Sequence, residues 1–506
     1  SLSGQLSTIQ GTSVAALSGT LSTTGTVSNT LNSLSTVLQV SYSTLAIELS
    51  ITQTRGINSQ LYTQFFQLGL TQSSILANNT SSIQYLSTVI SSNFSTANYQ
   101  FSTLINTNYS TLKDIYGGDP WLFCAGTDMY SEGRTVEPDG LSKYLSLNSS
   151  SQGVDYLYRT CYASIQQANK GLYFSTVTET SSTLNTRVGE LKFLRANAYF
   201  LLVQTYGGVP IVLENINTAV LSFDRNTAEE VYNQILKDLD EALPAVSAGV
   251  YGGRVNKRAV QDLLAKVYLT RGYETFAKAT DFSTAATLAD QVINGQALNV
   301  SFDNVVKPGN EMNAETIFSV QFSAATNATG TTTLGNSQCY YFGPYLGGAE
   351  VSGKAPLRSY NLCPTVYALT LFEKGDQRWK GTFMDEVYTR YYDYYDVAVK
   401  TGLKLKHFYE PSWFTTTPVT GDRDVWKATN ATRLDAGFIY HNWGTYSSSA
   451  NVASDYNTIP VRKFDDSKAP IGTVTANRVS TRDFIVSRLG ETYLVAAEAY
   501  FKAGVS

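Results

Sequence analysis

Histidine and cysteine are scarce: the 506-residue chain holds two of the first and four of the second. Cys124, Cys161, Cys339 and Cys363 are scattered, form no CxxC pair and have no histidine at ligand spacing. That excludes a zinc cluster or dithiol centre and leaves small buried hydrophobes or at most one disulfide. His407 and His441 fall in no triad or zinc spacing and read as structural. A formal net charge of −4 with no basic run gives a nucleic acid nothing to hold. No apolar run reaches the roughly 18 residues that a spanning helix needs. No signal-peptide pattern opens the chain, so its start is expected to be mature or trimmed. The GxSxG elbow, HExxH, the Walker loop and GxGxxG are absent too. These absences leave no catalytic residue, metal or cofactor to nominate.

Charge is scarcest at the beginning. The first 112 residues contain two charged side chains, Glu48 and Arg55, against 37 basic and 41 acidic residues in the whole chain. Of those 112, 42 are Ser or Thr. Apolar residues recur every three or four positions, as at Leu2, Leu6, Ile9 and Leu31, Leu34, Leu38, which fits a helix with a hydroxyl-rich face. Ser and Thr are mediocre helix formers, and ion-pair support is missing. Three readings of residues 1–97 stand side by side: a long polar-faced helix, a low-complexity stalk near a membrane, or letters that do not report a native domain.

What the chain has is tyrosine, 34 residues, with 23 Phe and 5 Trp. Such a surplus serves packing between helices, or a polar-aromatic surface whose flat rings stack on sugar faces. Its length suits one large domain or two to three ordinary ones.

Several helices can be read directly. In Gly189–Leu213 (GELKFLRANAYFLLVQTYGGVPIVL), a polar first turn precedes an apolar stripe of Leu191, Leu194, Ala198 and Leu201/Leu202. Gly207-Gly208 ends it in the left-handed cap conformation, and Pro210 stops it resuming, so Val209–Val212 leaves extended. Thr227–Val246 carries a capping box, Thr227 with Glu230, and an inward face of Val231, Ile235, Leu239 and Leu243. Arg254–Gly272 is another helix, with Gly272 as its stop, and Phe282–Ile293 a third. A short helix is expected over Asn98–Tyr116. Thr316–Phe322 alternates as a strand, and long loops rich in Gly, Tyr, Thr and Asn follow to about Ser480, broken by a helix at Thr365–Lys374.

The Gly189 string resembles a signature of the SusD/RagB family of surface nutrient-binding lipoproteins, in which Leu-Arg-Ala, an aromatic pair and Tyr-Gly-Gly-Val-Pro recur. Arg482–Gly504 (RDFIVSRLGETYLVAAEAYFKAG), read as a helix, resembles the family's second signature. The likeness covers residues 98–506. It implies a mainly α fold of tetratricopeptide-like helix pairs (about 98–300 and 482–506), with a loop-rich ligand region over 301–481 and a few short strands. It further implies non-catalytic capture of an oligosaccharide at the cell surface and delivery to a TonB-dependent outer-membrane transporter of the SusC kind. The expected membrane attachment is a lipid anchor, yet no cysteine precedes Cys124. Family members continue past the second signature, so a C-terminal part is expected to be missing.

Candidate ligand contacts are aromatics with polar neighbours on loops: Trp121, Asp128, Tyr130 and Arg134; Tyr340, Tyr341 and Tyr345 in CYYFGPYLGG; Tyr392 in the run RYYDYYD; and Trp413. Trp379, just after Asp376-Gln377-Arg378, resembles a family position, which implies a structural role. Arg488, Glu491 and Glu498, read on one helix, and Glu190 with Arg195 are better explained as ion pairs locking helix packing than as a glycosidase's carboxylates. Two other readings remain open beside an oligosaccharide binder: a peptide-binding relative, and an adhesive surface protein on an N-terminal stalk. A glycan hydrolase would need two carboxylates facing each other across a cleft.

Overall fold

The computed structural model describes residues 59–118, 120–133, 141, 144, 147–178, 181–322, 335–344, 353–356, 358, 361–446, 459–467 and 480–504. The chain divides into two compact units, Ser1–Ile105 with Lys170–Leu184, and Asn106–Asn169 with Asn185–Ser506. Residues 1–58, most of the low-charge stretch, lie outside the described residues.

Helix α1 (Ser59–Gly117) extends much further toward the N-terminus than the short helix expected at Asn98. Its hydroxyls explain how so many Ser and Thr residues are accommodated. Thr71, Ser74, Ser82, Thr88 and Thr103 each donate to the carbonyl four residues back, at 2.8–2.9 Å. Each polar group is thereby satisfied on the helix itself.

In the second unit α2 (Gln152–Ser175) contributes its residues up to Asn169, and α3 (Leu184–Tyr206) its residues from Asn185. The α3 helix begins five residues earlier than its sequence suggests and is not one-faced. Glu190, Arg195 and Asn197 are buried along with Leu191, Leu194, Ala198 and Leu202, because neighbours cover it on several sides. The exit is as expected. Gly207 takes φ +72°, and its N–H caps the Val203 carbonyl at 3.0 Å. At Gly208 an added Cβ would lie 2.2 Å from the Asn226 carbonyl, so a side chain has no room.

The signature residues of α3 hold that exit in place. The Tyr199 hydroxyl donates to the Val212 carbonyl (2.9 Å) and accepts from the Val212 N–H (2.7 Å). Arg195 forks onto Asp238 at 2.8 and 2.6 Å and donates to Asn169 at 2.8 Å, and Asn169 in turn donates to the Val212 carbonyl. Extended residues without a strand partner thus have their backbone groups satisfied by buried side chains. Glu190 does not pair with Arg195; it accepts from Arg187 and Arg254.

The α4 helix (Ala228–Ala242) starts on the expected capping box. The α5 helix (Lys257–Arg271) is capped by Asn256, whose side chain accepts from Ala259 N–H at 3.0 Å. Gly272 does not stop it through a left-handed turn, since its φ is −58°. It is small because the Phe282 ring lies 2.6 Å from where a Cβ would be. Next comes α6 (Asp281–Ile293). Strand β1 (Tyr130–Glu132) pairs antiparallel with β3 (Leu362–Pro364), and β2 (Thr316–Val320) with β7 (Phe484–Arg488). All five β2 residues are buried, so both faces are covered where its sequence alternation suggested one.

The second signature is a strand followed by a helix. After β7, α8 (Leu489–Ala503) ends on Gly504 in the left-handed conformation. Small residues let it approach its neighbours closely: Ala265, Ala285, Ala286, Ala289, Ala496 and Ala499 form one buried cluster of α5, α6 and α8. Arg488, at the strand end, pairs with Glu315, while Glu491 pairs with Lys266 and Glu498 accepts from the Tyr273 hydroxyl. The three therefore lock different neighbours to the scaffold rather than one another.

A second core belongs to the loop-rich region and includes Trp121, Phe342, Leu362, Trp379, Phe383, Met384, Tyr391 and Val461. Beside it, β4 (Glu386–Tyr388) runs antiparallel to β5 (Leu405–Tyr409), which runs parallel to β6 (Leu434–His441), and α7 (Asp422–Asn430) lies between β5 and β6 in sequence. Among the described residues no helix is long and apolar enough to cross a membrane.

Candidate functional site

An open cleft of about 360 Å³ lies in the loop-rich region. Its apolar lining is Trp379, Phe408, Pro411, Trp413, Phe414 and Trp426, and its polar lining is Asp376, Gln377, Lys380, Asp385 and Glu386. Four segments supply these residues: a short helix (Gln377–Thr382), the start of β4, the end of β5 with the loop after it, and α7. The Asp376 side chain caps the first of these by accepting from Arg378 N–H at 2.8 Å and pairs with the Arg378 guanidinium.

The two flanking tryptophans are held by polar clamps. Asp422 accepts from the Thr415 N–H (3.0 Å) and hydroxyl (2.9 Å), which ties α7 to the loop carrying Trp413. Those hydrogen bonds hold its carboxyl down at about 2. Arg423 forks onto Glu410 at 2.7 Å on both arms, and the Tyr440 hydroxyl donates to the same carboxylate. Trp426 is thereby stacked on Phe408, with ring centroids 3.7 Å apart and planes 20° apart. Trp413 stands edge-on to Trp379 at 4.8 Å and 72°.

Two features of the wall are not explained by packing. The Trp379 indole N–H is buried with no acceptor among the described residues. Such an orphan costs on the order of 1–3 kcal/mol unless a partner arrives. Asp385 has no ion-pair partner among the described residues, and burial, with Glu386 next to it, pushes its carboxyl up to about 6. Glu386 is neutralised by Arg433 at 2.9 Å. Flat rings beside hydroxyl-accepting carboxylates and an amide suit a sugar ring, whose C–H face is apolar and whose edge is polar.

Of the sequence candidates, Trp413 lines this cleft. Others gather elsewhere: Trp121, buried, lies edge-on to Tyr341 at 5.3 Å, and Tyr340 and Tyr341 meet at 5.6 Å on a short helix (Gln338–Phe342). Tyr130, half-buried on β1, meets Phe342 at 5.0 Å. Asp128 is exposed, and its carbonyl accepts from the Thr365 hydroxyl. Tyr392 is buried under the Arg390 guanidinium, and its hydroxyl has no partner among the described residues. Arg134 and Tyr345 lie outside the described residues.

The RYYDYYD run turns mostly inward. Tyr391 and Tyr395 both donate to Asp465 at 2.6 Å, and the other oxygen of Asp465 takes the buried Arg358 at 2.9 and 2.7 Å. The histidines are structural: His407 and His441, on adjacent strands, hydrogen-bond at 3.1 Å, and Tyr409 stacks on His441 at 4.2 Å. Burial pushes the Cys124 and Cys161 thiols up to about 12, which keeps them neutral.

Sequence reading passed over Trp426, Phe408, Gln377 and Asp385. One signal was available, because four of the five tryptophans fall within residues 379–443.

Two family models match the chain. One, described as starch-binding and associating with the outer membrane, matches residues 50–269, and the other, described as the SusD family, matches residues 314–506. A SusD-like protein of Bacteroides ovatus is 27% identical over 143 residues, which is 27% of this chain and 26% of that protein. The chain thus spans about a quarter of that relative in the match. Among solved structures, a SusD superfamily protein from Parabacteroides distasonis aligns with TM-score 0.57 at 23% identity, covering 80% of this chain and 76% of the other. A laminarin-binding SusD-like protein aligns with TM-score 0.54 at 19% identity, covering 80% and 84%. At these identities the likeness is one of fold.

Proposed function

The chain belongs to the SusD/RagB family, and on that premise we propose that it captures an oligosaccharide at the cell surface in the Trp379–Trp413–Trp426 cleft. The observation that carries the reading is the cleft itself, lined by five aromatic residues together with Asp376, Asp385 and Glu386, with a buried, partnerless indole N–H on one of those residues, Trp379. The sugar's apolar face would stack on Trp413 or Trp426, and its hydroxyls would donate to Asp385, Glu386 and Gln377. A ligand oxygen that displaced the edge of Trp413 would supply the acceptor that Trp379 lacks. The second aromatic group, Trp121, Tyr130, Tyr340 and Tyr341, remains a proposed further contact surface, with Asp128 at its margin.

The rest of the reading follows from membership. The family is associated with the outer membrane. We propose a lipid anchor, a TonB-dependent transporter of the SusC kind as the partner that receives the glycan, and no bond chemistry in this chain. Support for glycan as the ligand comes from the laminarin binding named for a protein of the same fold. Calorimetry against a panel of neutral and acidic oligosaccharides and of peptides tests the proposal. Sugar binding that depends on Trp413 supports it, and binding of peptides alone overturns it.

A further inference from the structure

A second pocket, of about 190 Å³, lies where the end of α1, the loop before α5 and the end of β2 meet. Asn106 and Lys113, on one face of α1, line it together with Arg254 and Gln321. Its wall is held in place. The Tyr109 hydroxyl accepts from Val255 N–H at 2.9 Å, which ties α1 to the loop, and the Arg254 guanidinium lies over the Tyr109 ring at 4.9 Å. Gly253 has φ +91°, and an added Cβ there would lie 2.3 Å from the Gln321 amide, so only glycine lets that amide in.

The donors on this wall outnumber their acceptors. The Lys113 ammonium lies 5.3 Å from the Phe322 ring centroid and has no ion-pair partner among the described residues. Arg254 spends Nε and Nη2 on the buried Glu190, which Arg187 shares, and its Nη1 has no hydrogen bond among the described residues. Gln321 gives one amide hydrogen to the Met312 sulfur at 3.5 Å and keeps the other. The Asn106 amide group has no hydrogen bond among the described residues, and no carboxylate among them lines the pocket. Asp114 and Asp483 feel the charge of Lys113 but form no ion pair with it. Any pull on an anion here is thus one of direct contact rather than of surplus net charge.

We propose that this pocket is a second binding site and takes a tetrahedral oxyanion, phosphate or sulfate, free or as the monoester end of a larger molecule. Two cations and two amides on three segments can each meet a different oxygen of such a group. A planar carboxylate fits less well, because the arginine fork it favours is spent on Glu190. The pocket shares no residue with the aromatic cleft, so this assignment stands apart from the glycan reading.

The test is an NMR titration of the whole chain with inorganic phosphate, sulfate, glucose 6-phosphate and glucuronate, in the parent, Lys113→Gln and Lys113→Arg. The expected result is saturable binding of a phosphate or sulfate probe, tighter than glucuronate. Lys113→Gln should weaken it about tenfold, as should raising sodium chloride from about 20 mM to about 0.3 M, while Lys113→Arg retains most of it. Binding of the inorganic ions alone identifies a free ion, and binding of glucose 6-phosphate as well identifies a monoester. Gln321→Leu, which removes a neutral donor, gives a second variant with a smaller loss, about threefold, should Lys113→Gln lower the melting temperature. No saturable binding, glucuronate as tight as phosphate, affinity unchanged in both Lys113→Gln and Gln321→Leu, or a loss that Lys113→Arg fails to restore overturns the assignment.

Discussion

Trp379 and Trp413 meet edge to face, their ring centroids 4.8 Å apart and their planes at 72°. One ring is fixed in a core and the other is half-buried at a cleft, so the pair joins the scaffold of the loop-rich region to the surface where a ligand would arrive.

Trp379→Phe tests the partnerless indole N–H. Phenylalanine keeps an aromatic ring and removes the donor. If the N–H meets ligand, glycan affinity drops by about 1–2 kcal/mol, roughly 5- to 30-fold, while the melting temperature holds or rises because an unsatisfied buried group is gone. Unchanged affinity with raised stability would show instead that the donor is only a packing defect.

Arg195→Ala leaves Asp238 buried without its partner, which typically costs about 3–5 kcal/mol. Urea denaturation should show that loss, and Arg195→Lys should recover little of it, because one ammonium cannot reproduce the fork onto Asp238 together with the bond to Asn169. A loss below about 1 kcal/mol in the alanine variant would contradict the role given to this residue.

The His407–His441 pair predicts acid sensitivity with a definite sign. Burial holds the two imidazoles down at about 3 and about 4, against an ordinary 6.5. The unfolded chain therefore takes up protons first. Stability is complete above about pH 6.5 and falls as pH drops toward the folded values, by a few kcal/mol overall. Asp385, raised from 3.8 to about 6, acts in the opposite sense and regains stability as it is protonated on the way down. Denaturation midpoints at about pH 7.5, 6 and 4.5 should consequently fall more steeply in Asp385→Asn than in the parent, and less steeply in His407→Gln. Parallel slopes in all three would exclude both assignments.

Local chemistry was legible in the sequence. The Thr227–Glu230 capping box, the left-handed Gly207 and the helices from Lys257 and Asp281 all depend on residues a few positions apart. Long-range partners were not. Arg195 and Glu190 lie on the same helix, yet one answers to Asp238 and the other to Arg254, and no periodicity encodes that choice. RYYDYYD looks like a surface motif, but two of its tyrosines, Tyr391 and Tyr395, are held by Asp465, about 70 residues on. The first stretch of the second signature forms a strand because β2 offers it a buried edge, which outweighs its helical spacing. The cleft was the least visible feature. Its lining comes from four segments whose meeting depends on the Asp422–Thr415 and Arg423–Glu410 clamps.

The most direct test of the central claim is isothermal titration calorimetry of neutral oligosaccharides, a β-glucan series first, into the parent chain and into Trp413→Ala. The account predicts a saturable heat in the parent and affinity at least about 10-fold weaker in the variant, with the two melting temperatures close together. Equal affinity in the two proteins, or heat from peptides alone, would contradict it.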